Sequence, residues 1–274
     1  MKLFRNIILS AFIISSLCSC NKEQNIVSDA GIPVSYTVSL LDTKAVNADG
    51  SAINKVWYAL YKTDGTLVTN YAPVDFVAGS ARCEVIMMRG QSYKIAFVAQ
   101  YYKDSATPTY QIDPQEAIIA SSYSPIANSD QYDLFYGVDE VFNYSGSHKG
   151  SIVLDRVVAM VNFICTDEDW ESAIAQNDAP THSSITLSGV STGWNILSGE
   201  PFNEKTDLSF ARSEIPGAKH LGASFCIADG QISATLNLYK SADETAAPIK
   251  TLTVSGVQVE RNKKSNITGK IITE

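Results

Sequence analysis

The chain has 274 residues, 29 of them acidic and 21 basic, for a formal net charge of −8. That balance argues against nucleic acid or anionic lipid surfaces as partners, which call for clustered lysine and arginine. With 45% apolar residues and no low-complexity tract, there is enough material for packed cores in two ordinary domains or one large β domain.

Residues 1–19 carry Lys2 and Arg5, an apolar run from Ile7 to Ile14, and then small residues leading into Leu17-Cys18-Ser19-Cys20. This is the layout of a signal peptide, and its apolar run is shorter than the roughly 20 residues a membrane-spanning helix needs. The Leu-x-Ser-Cys ending resembles a bacterial lipobox. In that motif the cysteine thiol receives diacylglycerol and the chain is cut just before it, which makes Cys20 the expected lipidation site. An ordinary secretory signal is the rival reading, but an Ala-x-Ala-like site is missing. Cleavage would leave 19 basic side chains against 29 acidic ones. Residues 20–33 then read as a lipidated tether ending in Gly31-Ile32-Pro33.

Period-two alternation begins at once. Val34, Tyr36, Val38 and Leu40 share one face while Ser35, Thr37 and Ser39 share the other, as a half-buried strand requires. The pattern recurs in Val56–Tyr61, in Cys83–Met87, and at Tyr93, Ile95, Phe97, Ala99 and Tyr101. Turn signals separate these runs at Asp49-Gly50, Asp64-Gly65 and Arg89-Gly90.

Beyond residue 150, Val157, Ala159, Val161 and Phe163 alternate with Val158, Met160 and Ile164, predicting a strand apolar on both faces and central in its sheet. Strands are also expected at Ser184–Ser188, near Trp194–Leu197, and at Phe225–Ala228, Ile232–Tyr239, Thr251–Val259 and Asn266–Thr273. Gly256 breaks the phase between Leu252/Val254 and Val257/Val259, and a β-bulge there would restore one buried face. Helices look few and short. Asp113-Pro114-Gln115-Glu116 has the form of a helix start, and Thr166-Asp167-Glu168-Asp169 makes a second acidic first turn leading to Ala175. The fold class predicted is all-β. The loop at residues 143–150 divides the strands into two sandwich domains, 34–149 and 150–274, with one continuous larger sandwich as the alternative.

Chemistry is sparse. Cys83, Cys165 and Cys226 lie in apolar or alternating runs and read as buried thiols, and no Cys-x-x-Cys pair is present to bind zinc. His148, His182 and His220 stand far apart without metal spacing and read as surface histidines. No nucleophile elbow, phosphate loop or dinucleotide fingerprint occurs, so no catalytic residue, metal or cofactor is expected. A converging pair among 29 acids, as in glycosidases, is beyond what a sequence can exclude. The aromatic set Tyr101, Tyr102, Tyr110, Tyr123, Tyr132, Phe135, Tyr136, Phe142 and Tyr144 would suit glycan stacking if exposed, and core filling if buried.

Five phrases in order carry a family resemblance: Leu41-Asp42-Thr43-Lys44-Ala45, Val56-Trp57-Tyr58-Ala59-Leu60-Tyr61 with Asp64-Gly65, Tyr132-Asp133-Leu134-Phe135-Tyr136-Gly137, Leu154-Asp155-Arg156 running on through Phe163, and Arg261-Asn262-Lys263-Lys264 running on through Gly269. Together with the lipobox, they resemble fimbrillin-type proteins of Bacteroidota. The resemblance implies two tandem transthyretin-like β-sandwich domains in an outer-membrane lipoprotein facing the cell exterior. Its partners would be other fimbrial subunits or host surface ligands, joined by strand complementation. In that family, stalk subunits are cut by an arginine-specific protease after the first strand. Here no arginine lies between Arg5 and Arg82, and Lys44 occupies the expected region. Either another protease acts, or the first strand and its lipid are retained, which would make the chain an anchor, a minor component or a non-polymerising relative; retention is the favoured expectation. The alternative is a surface glycan-binding lipoprotein of a polysaccharide uptake system.

Overall fold

The strands of the first half form in the alternating runs, and a computed structural model describes residues 31–41, 50–104, 106–120, 125–176, 179–217 and 219–270. They are β1 (Ile32–Leu40), β2 (Lys55–Lys62), β3 (Leu67–Asn70), β4 (Val74–Asp75), β5 (Ser80–Met87), β6 (Tyr93–Gln100), the short pieces β7 (Tyr102–Lys103), β8 (Thr107–Pro108), β9 (Gln111–Asp113) and β10 (Ile118–Ala120), then β11 (Leu134–Val141) and β12 (Gly150–Arg156). The second half supplies β13 (Ala159–Cys165), the helix α1 (Trp170–Ala175), β14 (His182–Ser191), β15 (Gly193–Asn195), β16 (Glu200–Pro201), β17 (Lys205–Glu214), β18 (His220–Cys226), β19 (Gly230–Tyr239), β20 (Lys250–Val259) and β21 (Lys264–Gly269). The protein is all-β, as expected, and α1 is the one α-helix among the described residues.

One hydrogen-bonded path, β3-β2-β6-β11-β12-β1-β5, makes the first sandwich, with β4 beside β2. The path turns a corner where β11 meets β12 through only Phe135↔Arg156 and Tyr136↔Asp155. Inward residues of β1, β5 and β12 thus face those of β2, β6 and β11 in one core that holds Val34, Tyr36, Val38, Cys83, Val85, Leu60, Phe97 and Leu154. The strand Gly150–Arg156, grouped by the sequence with the second half, is hydrogen-bonded into this first sheet. The chain passes to the second half only at Val157.

In the second sandwich the four strands β17-β14-β19-β20 lie over the three strands β18-β13-β21. Its core joins Ile185, Leu187, Phe210, Leu236 and Val259 to Val161, Phe163 and Leu221, and Trp170 of α1 packs against one side.

A third core explains why β2, β6 and β13 are apolar on both faces. Trp57, Ala59 and Tyr61 of β2 and Val98 of β6 meet Met160 of β13 and Phe225 of β18, with Ile119 of β10 and Trp194 of β15 between them. Alternate residues of these strands therefore serve one sandwich core and this shared layer. The sequence predicts β13 to be apolar on both faces, whereas β2 and β6, expected to be half-buried, bury both because the shared layer covers their second face. The small sheet β16-β15-β10-β9 draws strands from both halves into that layer.

Two local expectations meet different fates. At Gly256 the register shifts so that Ser255 and Gly256 stand against Ser233 alone, and Gly256 has a φ of 71°. This is the expected bulge: Leu252 and Val254 come back into phase with the buried Val257 and Val259. Asp113-Pro114-Gln115-Glu116 starts no helix. Asp113 Oδ1 does accept from the N–H groups of Gln115 and Glu116, at 2.9 and 3.2 Å, but Ala117 comes next at a φ of 54° and the chain turns back as the hairpin β9–β10. An aspartate that caps a first helical turn makes the same bonds in an Asx turn. The second helix signal is realised in α1.

Candidate functional site

The strand with the most unusual seat is β1. It enters between two others, parallel to β12 from Tyr36↔Gly150 to Leu40↔Leu154 and antiparallel to β5 from Ile32↔Met87 to Ser39↔Ser80. A parallel neighbour cannot be joined by a tight hairpin, so β1 and β12 are brought together by the whole intervening chain. The alternation read from the sequence decides what β1 contributes. Val34, Tyr36 and Val38 point into the first core at 4%, 0% and 0% exposure, each burial giving about 1.5–3 kcal/mol.

Tyr36 is the centre of this slot. Its ring lies 5.1 Å from Phe97 and 5.6 Å from His148, and its hydroxyl donates to Asp139 Oδ2 of β11 at 2.8 Å. His148 Nε2 lies 3.0 Å from the same oxygen. Burial, followed by the neighbouring carboxylate, raises the Tyr36 phenol far above its ordinary range, so it stays a neutral donor. Across the strand, a Cβ on Gly150 would stand 2.6 Å from Tyr36 Cγ and 2.8 Å from the Ser35 carbonyl oxygen, so only glycine lets the ring lie flat here. Leu41 N–H donates to the Leu154 carbonyl at 2.9 Å, extending the β1–β12 ladder one residue beyond the strand.

At the corner beside the slot, Arg156 and Asp133 form a two-pronged ion pair, Nε to Oδ1 and Nη2 to Oδ2, both 2.8 Å, at 4% and 1% exposure. The guanidinium carbon also sits 5.1 Å from the centre of the Phe135 ring. Nothing in the sequence separated this pair from other acids and bases. Asp139 was missed for the same reason: its partners are 103 and 9 residues away along the chain.

The candidates named from sequence are scattered over the molecule. Cys20 and Lys44 lie outside the described residues, as does Tyr123. Cys83, Cys165 and Cys226 are all buried. Burial pushes the thiols of Cys83 and Cys226 up to about 12, and Cys165 Sγ donates to Asp167 Oδ2 at 3.0 Å. The three histidines do not converge. His148 sits in the β1 slot, half-buried rather than on the surface, and His182 and His220 are half-buried at strand starts in the second sandwich. Among the described residues no three His, Cys, Asp or Glu side chains gather as a metal site. No helix of the described residues is long and apolar enough to cross a membrane. Of the aromatic set, Tyr102, Tyr110, Phe135 and Tyr144 are buried, Tyr101, Tyr132 and Tyr136 are half-buried, and Phe142 alone is fully turned out, at 70% exposure. The described rings are thus core and joint material, not an exposed platform.

The fold defines a class of two-sandwich all-β proteins with an inserted N-terminal strand. The chain belongs to DUF6562, a family of unknown function whose model matches residues 29–274. No curated protein matches the chain. Among solved structures it is similar to a candidate polysaccharide-binding protein of DUF1812 from Bacteroides thetaiotaomicron, with a TM-score of 0.55 and 14% identity over 86% of this chain and 90% of that one. It is also similar to a candidate adhesin from Bacteroides ovatus, with a TM-score of 0.51 and 11% identity over 88% of this chain and 89% of that one. At such identities the likeness is one of fold.

Proposed function

We propose that this chain is a fimbrillin-like surface lipoprotein, held to the outer membrane by lipid on Cys20 and facing the exterior. It acts in fimbria assembly, anchoring or cell adhesion through strand complementation. The single observation that carries this reading is the seat of β1. A strand from the N-terminal end of the sandwich fills a slot between β12 and β5, with its apolar residues inward and ladders on both sides. Such a slot is built for backbone pairing plus side-chain pockets, the two terms by which strand addition gains affinity and specificity. The candidate adhesin among the similar folds agrees in kind.

Because no arginine lies between Arg5 and Arg82, β1 is retained, and the chain serves as an anchor or minor component rather than a stalk unit. Its partners are other fimbrial subunits or host surface ligands, and it carries out no catalysis. Protease shaving of living cells, together with gels run without boiling, tests this. Loss of the protein on shaving and a ladder of higher assemblies are expected; an intact band with no assembly contradicts it.

A second reading, capture of glycans for uptake, draws on the candidate polysaccharide-binding protein among the similar folds. The inward-turned aromatic rings weigh against it. Affinity electrophoresis against host and plant polysaccharides separates the two, since a fimbrial component would run unretarded.

A further inference from the structure

A slot with ladders on both sides gives affinity to any extended chain. Because side chains alternate with period two, a strand shifted by two residues keeps both ladders and the same face inward. Backbone pairing at the β1 slot therefore fixes neither the sequence nor the register of its strand, and the side-chain pockets must do so.

Two of the buried positions of β1 are undemanding. Val34 stands opposite Val85 of β5, and Val38 lies between Ala81 of β5 and Ile152 of β12. The position between them differs. Tyr36 lies between Cys83 and Gly150, both buried, and the missing side chain of Gly150 is the room for the base of the ring: a Cβ there would stand 2.6 Å from Tyr36 Cγ and 2.7 Å from Cδ1. At the other end of the ring the hydroxyl donates to Asp139 Oδ2 at 2.8 Å, with His148 Nε2 3.0 Å from the same oxygen. A phenylalanine here lacks the donor, and a leucine or valine lacks the reach. A shift of two residues carries the phenol about 6.6 Å along the slot, out of hydrogen-bond range of Asp139. Moved toward the Val38 position, the ring also meets Ile152 where it now has Gly150.

We propose that the slot selects its strand at this one position, and that the partner segment it fits is an extended peptide with a tyrosine opposite Gly150 and a small branched apolar residue two positions to either side. β1 carries that key itself, so the slot is self-filled, and a partner strand without the tyrosine does not displace it. The inference rests on the strand-complementation reading for its role in the cell, whereas the selectivity is a property of the isolated chain.

The test uses the full mature chain with a site for a sequence-specific protease placed between residues 42 and 49. Cutting after folding leaves β1 in its slot without a covalent tie. The cut chain is incubated with excess labelled peptide of residues 31–41, or with that peptide carrying Tyr36→Phe, Tyr36→Leu, or Val34→Tyr together with Tyr36→Val, and bound label is read after gel filtration. The natural peptide is expected to compete about tenfold or more better than the Tyr36→Phe form, as loss of a hydrogen bond to a charged group implies, and better still than the Tyr36→Leu and shifted forms. In a chain bearing Asp139→Ala the advantage over the Tyr36→Phe form disappears, because the acceptor is gone. Equal uptake of the natural peptide and either the Tyr36→Phe or the shifted form overturns the proposal, as does a tyrosine advantage that survives Asp139→Ala. If no peptide displaces β1, hydrogen exchange of residues 32–40 in the uncut chain decides. Tyr36→Phe must quicken it about tenfold or more in the parent and leave it unchanged in the Asp139→Ala chain; equal protection of Tyr36→Phe and parent contradicts the key. Selectivity in the tube with no assemblies on cells sinks the fimbrial reading and keeps the key, and assemblies without selectivity do the reverse.

Discussion

At the residue scale, Asp133 and Arg156 carry the largest single stake in the first sandwich. Both are almost wholly buried and satisfy each other through two 2.8 Å bonds. Removing one partner leaves a charge in a dry site, so Asp133→Ala is expected to cost about 3–5 kcal/mol in urea unfolding. Replacing both with apolar residues of similar size should cost far less. The buried thiols give a pH prediction. Their folded values are raised, Cys83 and Cys226 up to about 12, against 9.0 as the ordinary value. A raised acid favours the neutral form in the folded state, so this contribution is fully present below about pH 9 and is lost as pH climbs toward 12. Stability measured by urea midpoint should fall across that window, and less so in Cys83→Ala with Cys226→Ala than in the parent. The burial of the cysteines was legible from their place in alternating runs. The Asp139–His148–Tyr36 contact was not, because it depends on which strands become neighbours.

At the element scale, the strands were legible because each face has one environment. The Gly256 bulge was read from a phase break alone, and the structure supplies the left-handed residue that absorbs it. Gly256→Ala should cost about 1 kcal/mol in the unfolding midpoint, the usual cost of forcing a side chain into that conformation. Deleting Gly256 should be far worse, since Val257 and Val259 or Leu252 and Val254 would then face solvent. Gly150 is the matching point for β1. With a Cβ 2.6 Å from Tyr36 Cγ, Gly150→Val should drive the ring from its slot. Hydrogen exchange read by mass spectrometry should show residues 32–40 losing protection while 220–239, in the second sandwich, keep theirs. The error at Asp113 has a local cause: the capping bonds of a helix start and of an Asx turn are the same, and only the positive φ of Ala117 tells them apart.

At the scale of the whole molecule, periodicity shows β13 to be apolar on both faces but predicts a half-buried β2, which in fact buries both, and nothing in it shows that the second face of each belongs to one shared layer. That layer is assembled from residues as distant as Trp57 and Phe225, with Trp194 between, and no local signal encodes such a meeting. The same limit placed the division of the chain at the loop before Gly150, whereas β12 continues the first sheet to Arg156. β12 must stay with the first sandwich because it is one wall of the β1 slot. The proposed role therefore turns on β1, and on whether the exported chain keeps it. Mass spectrometry of the mature surface form, with its N-terminus identified, tests this directly. The prediction is a terminus at Cys20 carrying diacylglycerol, with residues 32–40 still attached. An unlipidated terminus near Ala45, with β1 gone, would contradict it.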